Sequence, residues 1–153
     1  MIESIMMLVG LYCNDPILAM AIIKQESNFK NIVNTNEGST GLMQVLPSTA
    51  SWIECEATSQ KELMDLEKNI ACGCKYLDIL STQHAAAKMP ASLGDIIASY
   101  NAGSVKFCRT GKLYPSGNSC KIGNYINDGY VSSVMANYIY YASTIGVQHG
   151  PGF

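Results

Sequence analysis

Glu26 is the residue whose position says most about chemistry. Ile22 and Ile23 stand four and three places before it, so on a helix its side chain leaves from the face that carries buried apolar groups. It also closes the helical stretch, where the helix dipole disfavours negative charge. Both effects raise a carboxyl pKa and keep its proton on near neutral pH, as a general acid requires. The alternative is a helix-end carboxylate turned out to solvent. A second candidate is Ser99-Tyr100-Asn101-Ala102-Gly103, with Asp95 one turn earlier. Tyr and Asn beside a glycine that lets a ligand approach suit sugar hydroxyls and N-acetyl groups, although Asn-Ala-Gly is also an ordinary helix stop. Gln44 interrupts an apolar run, so its amide is expected to be buried and to need partners. Its default role is to hold a loop, and the alternative is a contact to substrate.

The cysteines and histidines offer less. Cys72-Gly73-Cys74 with His84 supplies metal-ligand types, yet two cysteines two apart on a helix face different directions and no second ligand pair follows. No metal and no cofactor are therefore expected. A Cys/His nucleophile pair with His84 or His149 lacks a legible oxyanion loop. Cys13, Cys72 and Cys74 fall in apolar helical stretches and are expected as buried thiols. If any pair bridges it is Cys108 and Cys120, which flank a Gly/Pro-rich stretch; the unstrained closed loop is worth about 3 kcal/mol. In a reducing cytoplasm that bridge forms only after release.

Helices must position these groups. Asn14-Asp15-Pro16 is a cap followed by Pro at the first helical position, and residues 17–23 are apolar on every side, as in a buried helix. Residues 26–40 turn to Asn, Ser, Thr and Gly and read as a loop. Pro47 ends the run Gly41-Leu42-Met43-Gln44-Val45-Leu46, and 48–53 forms a short helix. A longer helix spans 63–82, with Leu66, Ile70, Cys74 and Leu77 at three- and four-residue spacing. Ser92-Leu93-Gly94-Asp95 is a capping-box variant that opens a helix stopped by Gly103. Residues 106–124 read as a polar loop. The last helix begins near Asp128, carries Val131, Val134, Met135, Tyr138, Tyr141 and Ile145 on one stripe, and ends at Gly146.

Composition narrows the class. The 153 residues hold 10 Lys+Arg against 12 Asp+Glu and are 48% apolar but only 14% charged. Disorder needs fewer hydrophobes and more net charge. A net charge of −2 argues against nucleic-acid partners. Six cysteines are too sparse for a disulfide scaffold, so stapling is not expected. Residues 5–23 are apolar, but Asp15-Pro16 splits them into pieces too short to span a bilayer, and Glu3 with no early Lys or Arg denies a signal-peptide n-region. The expectation is one mostly α domain over 1–153, its motifs within 14–146, with any strand or hairpin confined to 31–46.

Four segments in order resemble the lytic transglycosylase family with the goose-type lysozyme fold. They are Glu26-Ser27-Asn28-Phe29; Gly41-Leu42-Met43-Gln44-Val45-Leu46-Pro47-Ser48-Thr49-Ala50; Ala98-Ser99-Tyr100-Asn101-Ala102-Gly103; and Tyr130-Val131 with Val134. Asn69-Ile70 and Tyr76-Leu77 also sit where the family's middle helix carries them. The resemblance spans residues 17–141 and implies a single lysozyme-like domain acting on peptidoglycan glycan strands in the bacterial periplasm or wall. It makes Glu26 the acid/base carboxylate, followed by Ser27. Thr35 stands where many members have a Ser bonded to that carboxylate, and Gln44 and Leu46 line the groove. Tyr100 lies against the acid, Asn101 contacts sugar, and Tyr130 lines the same cleft.

There are departures. Lys30-Asn31 replaces a usual Asn-Pro, and Tyr125-Ile126-Asn127-Asp128-Gly129 stands where a Glu-Thr pair is common. That variant is more similar to phage and secretion-system members, which implies phage tail or secretion components as partners. The implied reaction cleaves the β-1,4 bond from N-acetylmuramic acid to N-acetylglucosamine and closes a 1,6-anhydro ring. Two alternatives stand beside it: a hydrolytic muramidase on the same fold, with Glu37 as a second carboxylate, and a wall-binding virion module without catalysis.

Overall fold

Asp15 and Pro16 separate two helices. In this structure, a computed structural model that describes residues 1–86, 92–103 and 125–149, α1 runs Ile2–Tyr12 and α2 runs Pro16–Ser27. The Asp15 carboxylate accepts from the Leu18 N–H at 2.9 Å, and Pro16 fills the first helical position, where no N–H is needed. α1 emerges where the sequence shows only an apolar stretch. Ile5 and Val9 are buried while Met7 and Leu11 are exposed, so its apolar residues lie all round and blur the period. Among the described residues no helix is long and apolar enough to cross a membrane.

α3 follows as Pro47–Trp52. The single long helix expected over 63–82 is two. A short α4, Gln60–Leu63, has its own Ser59/Glu62 capping box, and the Asp65 carboxylate then accepts from the Lys68 N–H at 3.0 Å to start α5, Leu66–Ala86. α6, Leu93–Ala102, opens on the Ser92/Asp95 capping box and stops at Gly103. α7 runs Asp128–His149, past the expected stop at Gly146. A helical glycine costs only about 1 kcal/mol, too little to end a helix by itself. Between α2 and α3 the described chain makes isolated bridges only, Val33 to Thr40 and Thr40 to Val45. The expected loop over 106–124 and the Cys108–Cys120 pair lie outside the described residues.

α2 is wrapped on nearly every side, with Leu18 to Ile23 all buried. Its main neighbour is α7, which runs antiparallel to it: the Tyr130 hydroxyl meets Glu26, the Asn137 amide meets the Ala21 carbonyl, and the Tyr138 hydroxyl meets Asp15. α1 packs on α5, and α6 packs on both α5 and α7.

The cysteines correct the sequence reading. Cys13, Cys72 and Cys74 are not free thiols: Cys13 is bridged to Cys74 and Cys55 to Cys72. Cys72 and Cys74 do face different directions, and each direction holds a different partner. The closed loops separate their ends by 61 and 17 residues, which a chain-entropy treatment values at about 3–4 kcal/mol each. The domain is stapled, against expectation. Average cysteine density carries no information about which distant segments a fold brings together.

Candidate active site

A groove of about 280 Å³ opens beside the C-terminal end of α2. Glu26, Glu37, Ser39, Gln44, Val45, Leu46 and Thr49 line it with Tyr76 of α5 and Tyr100, Asn101, Ala102 and Gly103 of α6. Glu26 gets there because α2 ends directly after it, at Asn28 in the left-handed conformation (φ 50°), which turns the chain away and leaves the carboxyl at the rim. Burial lifts that carboxyl to about 7, against the pull of a hydrogen bond from Tyr130, while the charge of Glu37 adds a further, smaller lift. Tyr130 donates to Glu26 Oε1 at 2.6 Å. Burial and the neighbouring Glu26 charge hold the Tyr130 phenol well above its usual range, so it stays a donor.

The other side of the groove is a loop held by amides. Asn69 on α5 is fully buried; its Oδ1 accepts from the Met43 N–H at 2.9 Å and its Nδ2 donates to the Thr40 and Leu63 carbonyls at 2.8 and 2.9 Å. Gly41 lies against that amide: its φ is +80°, and a Cβ there would stand 2.2 Å from Asn69 Nδ2. Gln44, itself at φ 49°, donates to the Ile32 and Gly41 carbonyls and accepts from the Ser39 hydroxyl at 2.9 Å. Tyr100 donates to the Met43 carbonyl at 2.8 Å, tying α6 to the same loop.

The structure brings Glu26, Gln44, Leu46, Tyr100 and Asn101 to one groove and bonds Tyr130 to Glu26. Gln44 is half-buried, and its amide is taken up by its own loop, the default role that its place in an apolar run gave it. Ser27 is buried with its hydroxyl on the Ile23 carbonyl at 3.1 Å, away from the groove. Thr35 is exposed and, among the described residues, makes no hydrogen bond to Glu26.

Ser39, Thr49, Tyr76 and Asn127 join the site beyond the residues expected there, although Thr49 and Tyr76 lie in segments that the family resemblance covers. Tyr76 stands four after Cys72 on the buried face of α5, a signal legible in hindsight. Asn127 donates to the Ala98 carbonyl at 3.0 Å and to Asn101 Oδ1 at 3.1 Å, so it orients the Asn101 side chain. Ser39 had no signal beyond its place in a polar loop.

The order of these segments decides the family, for the family model of the transglycosylase SLT domain matches residues 10–120. The chain belongs to the SLT transglycosylase family. A putative soluble lytic murein transglycosylase from Haemophilus influenzae is 32% identical over 132 residues, which cover 80% of this chain and 21% of that protein. The soluble lytic murein transglycosylase of Escherichia coli K12 is 36% identical over 90 residues, 56% of this chain and 13% of that one. This SLT domain chain therefore spans about a fifth or less of the length of these relatives. The crystal structure of the 70 kDa soluble lytic transglycosylase from E. coli matches at TM-score 0.66 and 25% identity, over 91% of this chain and 24% of the other. An inactive mutant of the lytic transglycosylase Slt from Pseudomonas aeruginosa matches at TM-score 0.65 and 20% identity, over 94% and 24% of the two chains, and shows the shared fold. The SLT domain fold here is mostly helical and lysozyme-like, as its sequence implied.

Proposed function

We propose that this chain is a lytic transglycosylase that cleaves the β-1,4 bond between N-acetylmuramic acid and N-acetylglucosamine in peptidoglycan. The observation that carries the reading is Glu26: a carboxyl lifted to about 7, at the rim of a groove, with a phenol fixed on one oxygen. Because Tyr130 donates to Oε1, the transferable proton belongs on Oε2. Glu26 gives that proton to the leaving glycosidic oxygen. The substrate's own N-acetyl oxygen stabilises the oxocarbenium-like centre, so the nucleophilic carboxylate of a two-carboxylate glycosidase is not needed. Glu26, now ionised, takes the proton from the C6 hydroxyl as that oxygen attacks C1, which closes the 1,6-anhydro ring and restores the acid. Asn101 contacts the strand, Gln44 and Tyr100 act on it through the groove-lining loop that they hold, and Leu46 supplies apolar bulk. The substrate sets the place of action at the bacterial wall, and the variant stretch 125–129 favours work beside a phage particle or secretion apparatus.

Glu37 lines the same groove and gives the hydrolytic reading its footing, as a base that activates water. Digestion of purified wall with mass spectrometry of the products separates the two. The expected products end in 1,6-anhydro-N-acetylmuramic acid, one water lighter than lysozyme products; reducing ends throughout would establish the hydrolase. Glu26→Gln keeps the shape and removes the proton, so wall cleavage falls by roughly 100- to 10,000-fold with native melting. Full activity in that variant would remove Glu26 from its role.

A further inference from the structure

Trp52, the single tryptophan of the chain, is 60% exposed at the last position of α3. It stands three residues after Thr49, on the same helix face, and Thr49 lines the groove. Its ring meets Tyr76 at 6.5 Å between centroids with planes at 82°, and Tyr76 meets Tyr100 at 5.2 Å and 44°. Tyr76 and Tyr100 both line the groove with Glu26, so aromatic rings run in series from the acid outward to an exposed indole. A near-perpendicular contact leaves at least one indole face uncovered. The mount behind the ring is rigid: Ile53 is buried, the Lys75 ammonium donates to the Glu54 carbonyl at 2.8 Å, and Cys55 is bridged to Cys72 of α5. Other exposed apolar side chains, Met7 and Leu11 on α1 or Ile139 and Tyr140 on α7, have no such continuity with the groove.

We propose that Trp52 is a sugar-stacking platform that extends the groove beyond Tyr76, so that one more N-acetylated hexosamine of the glycan strand packs its C–H face on the indole. This deepens the transglycosylase reading and rests on it. An aromatic ring held in place before the ligand arrives offers apolar contact area at little ordering cost. The platform makes the chain discriminate by strand length: short oligosaccharides fill the groove alone, and longer ones reach the indole.

The single tryptophan makes the test direct. The full chain carrying Glu26→Gln is titrated with N-acetylglucosamine oligomers of two to six units, following tryptophan emission and, in parallel, heat of binding. Longer oligomers are expected to shift the emission while the dimer binds without moving it. The affinity gain with length, roughly tenfold for one stacked ring, is lost with Trp52→Ala and partly kept with Trp52→Phe. On an active background, Trp52→Ala raises KM for long strands by a similar factor and leaves kcat unchanged. If long oligomers bind calorimetrically with no emission change and the same length dependence in Trp52→Ala, the platform is overturned while the enzyme reading stands. If no oligomer binds and the unsubstituted chain leaves wall intact, both fall.

Discussion

The two sides of the groove are made differently. The α2 side reaches it through one titrating group, set where two antiparallel helices meet and tuned by the burial that their packing imposes. The opposite side, from Glu37 to Thr49, carries the isolated bridges at Thr40 and the start of α3; Glu37 apart, it reaches the groove through neutral groups, its shape set by amides on backbone carbonyls. Helix packing can desolvate a carboxyl, but it cannot follow the contour of an extended ligand. A loop can follow that contour, provided its backbone groups find partners. On the proposed reading the chemistry sits on the rigid element and the recognition on the loop, and each requires a different kind of support.

The largest test of this division is Asn69→Ala. It takes the amide partner from the Met43 N–H and the Leu63 carbonyl and leaves the Thr40 carbonyl only the Val45 N–H, in a fully buried site. The expected cost is about 3–5 kcal/mol, which lowers the melting temperature by roughly 10 °C in a domain of this size. Thermal denaturation followed by circular dichroism reads it. A loss below about 1 kcal/mol would mean that the loop holds its shape without the amide, and the contrast between the two sides would dissolve.

That keystone also marks the limit of what the sequence discloses. Local chemistry was legible: the Asp15-Pro16 start of α2, the Ser92/Asp95 box, the Gly103 stop and the stripe on α7 are each written within a few residues. So was the raised pKa of Glu26, because Ile22 and Ile23 announce the buried face beside it. Asn69 was legible only as a family match, since three partners at sequence distances of 6, 26 and 29 leave no local trace. The disulfides were missed for the same reason. Thr35 was expected at the carboxylate by position in a motif, but the loop that carries it is exposed, and Tyr130, 104 residues from Glu26, takes that bond.

Tyr130→Phe probes the acid itself. The lost hydrogen bond was pulling the Glu26 pKa down against burial, so its removal raises the pKa above about 7. On the proposed mechanism the acid must carry its proton for the first step, so the alkaline limb of the pH–rate profile for wall lysis moves upward. With Oε1 no longer held, the rate at the optimum falls by roughly tenfold. A merely structural tyrosine would lower the rate without moving the limb.

Glu37→Gln carries the smallest expected effect and divides the two chemical readings most sharply. Glu37 raises the Glu26 pKa through its charge alone, and this is the weakest of the three influences on that carboxyl. It is also exposed on its loop, so water and salt screen its field. Neutralising it removes a like charge, and the alkaline limb moves slightly downward, opposite in sign to Tyr130→Phe. The rate below the limb stays within roughly twofold, as expected when a screened surface charge is lost. The shift shrinks further as ionic strength rises, which separates a field effect from a structural one. A catalytic base behaves otherwise: if Glu37 activated water, its amide would collapse turnover by roughly 100-fold or more at every pH and every salt concentration. A large, salt-independent loss would therefore place a second carboxylate in the chemistry and move the loop from recognition into catalysis.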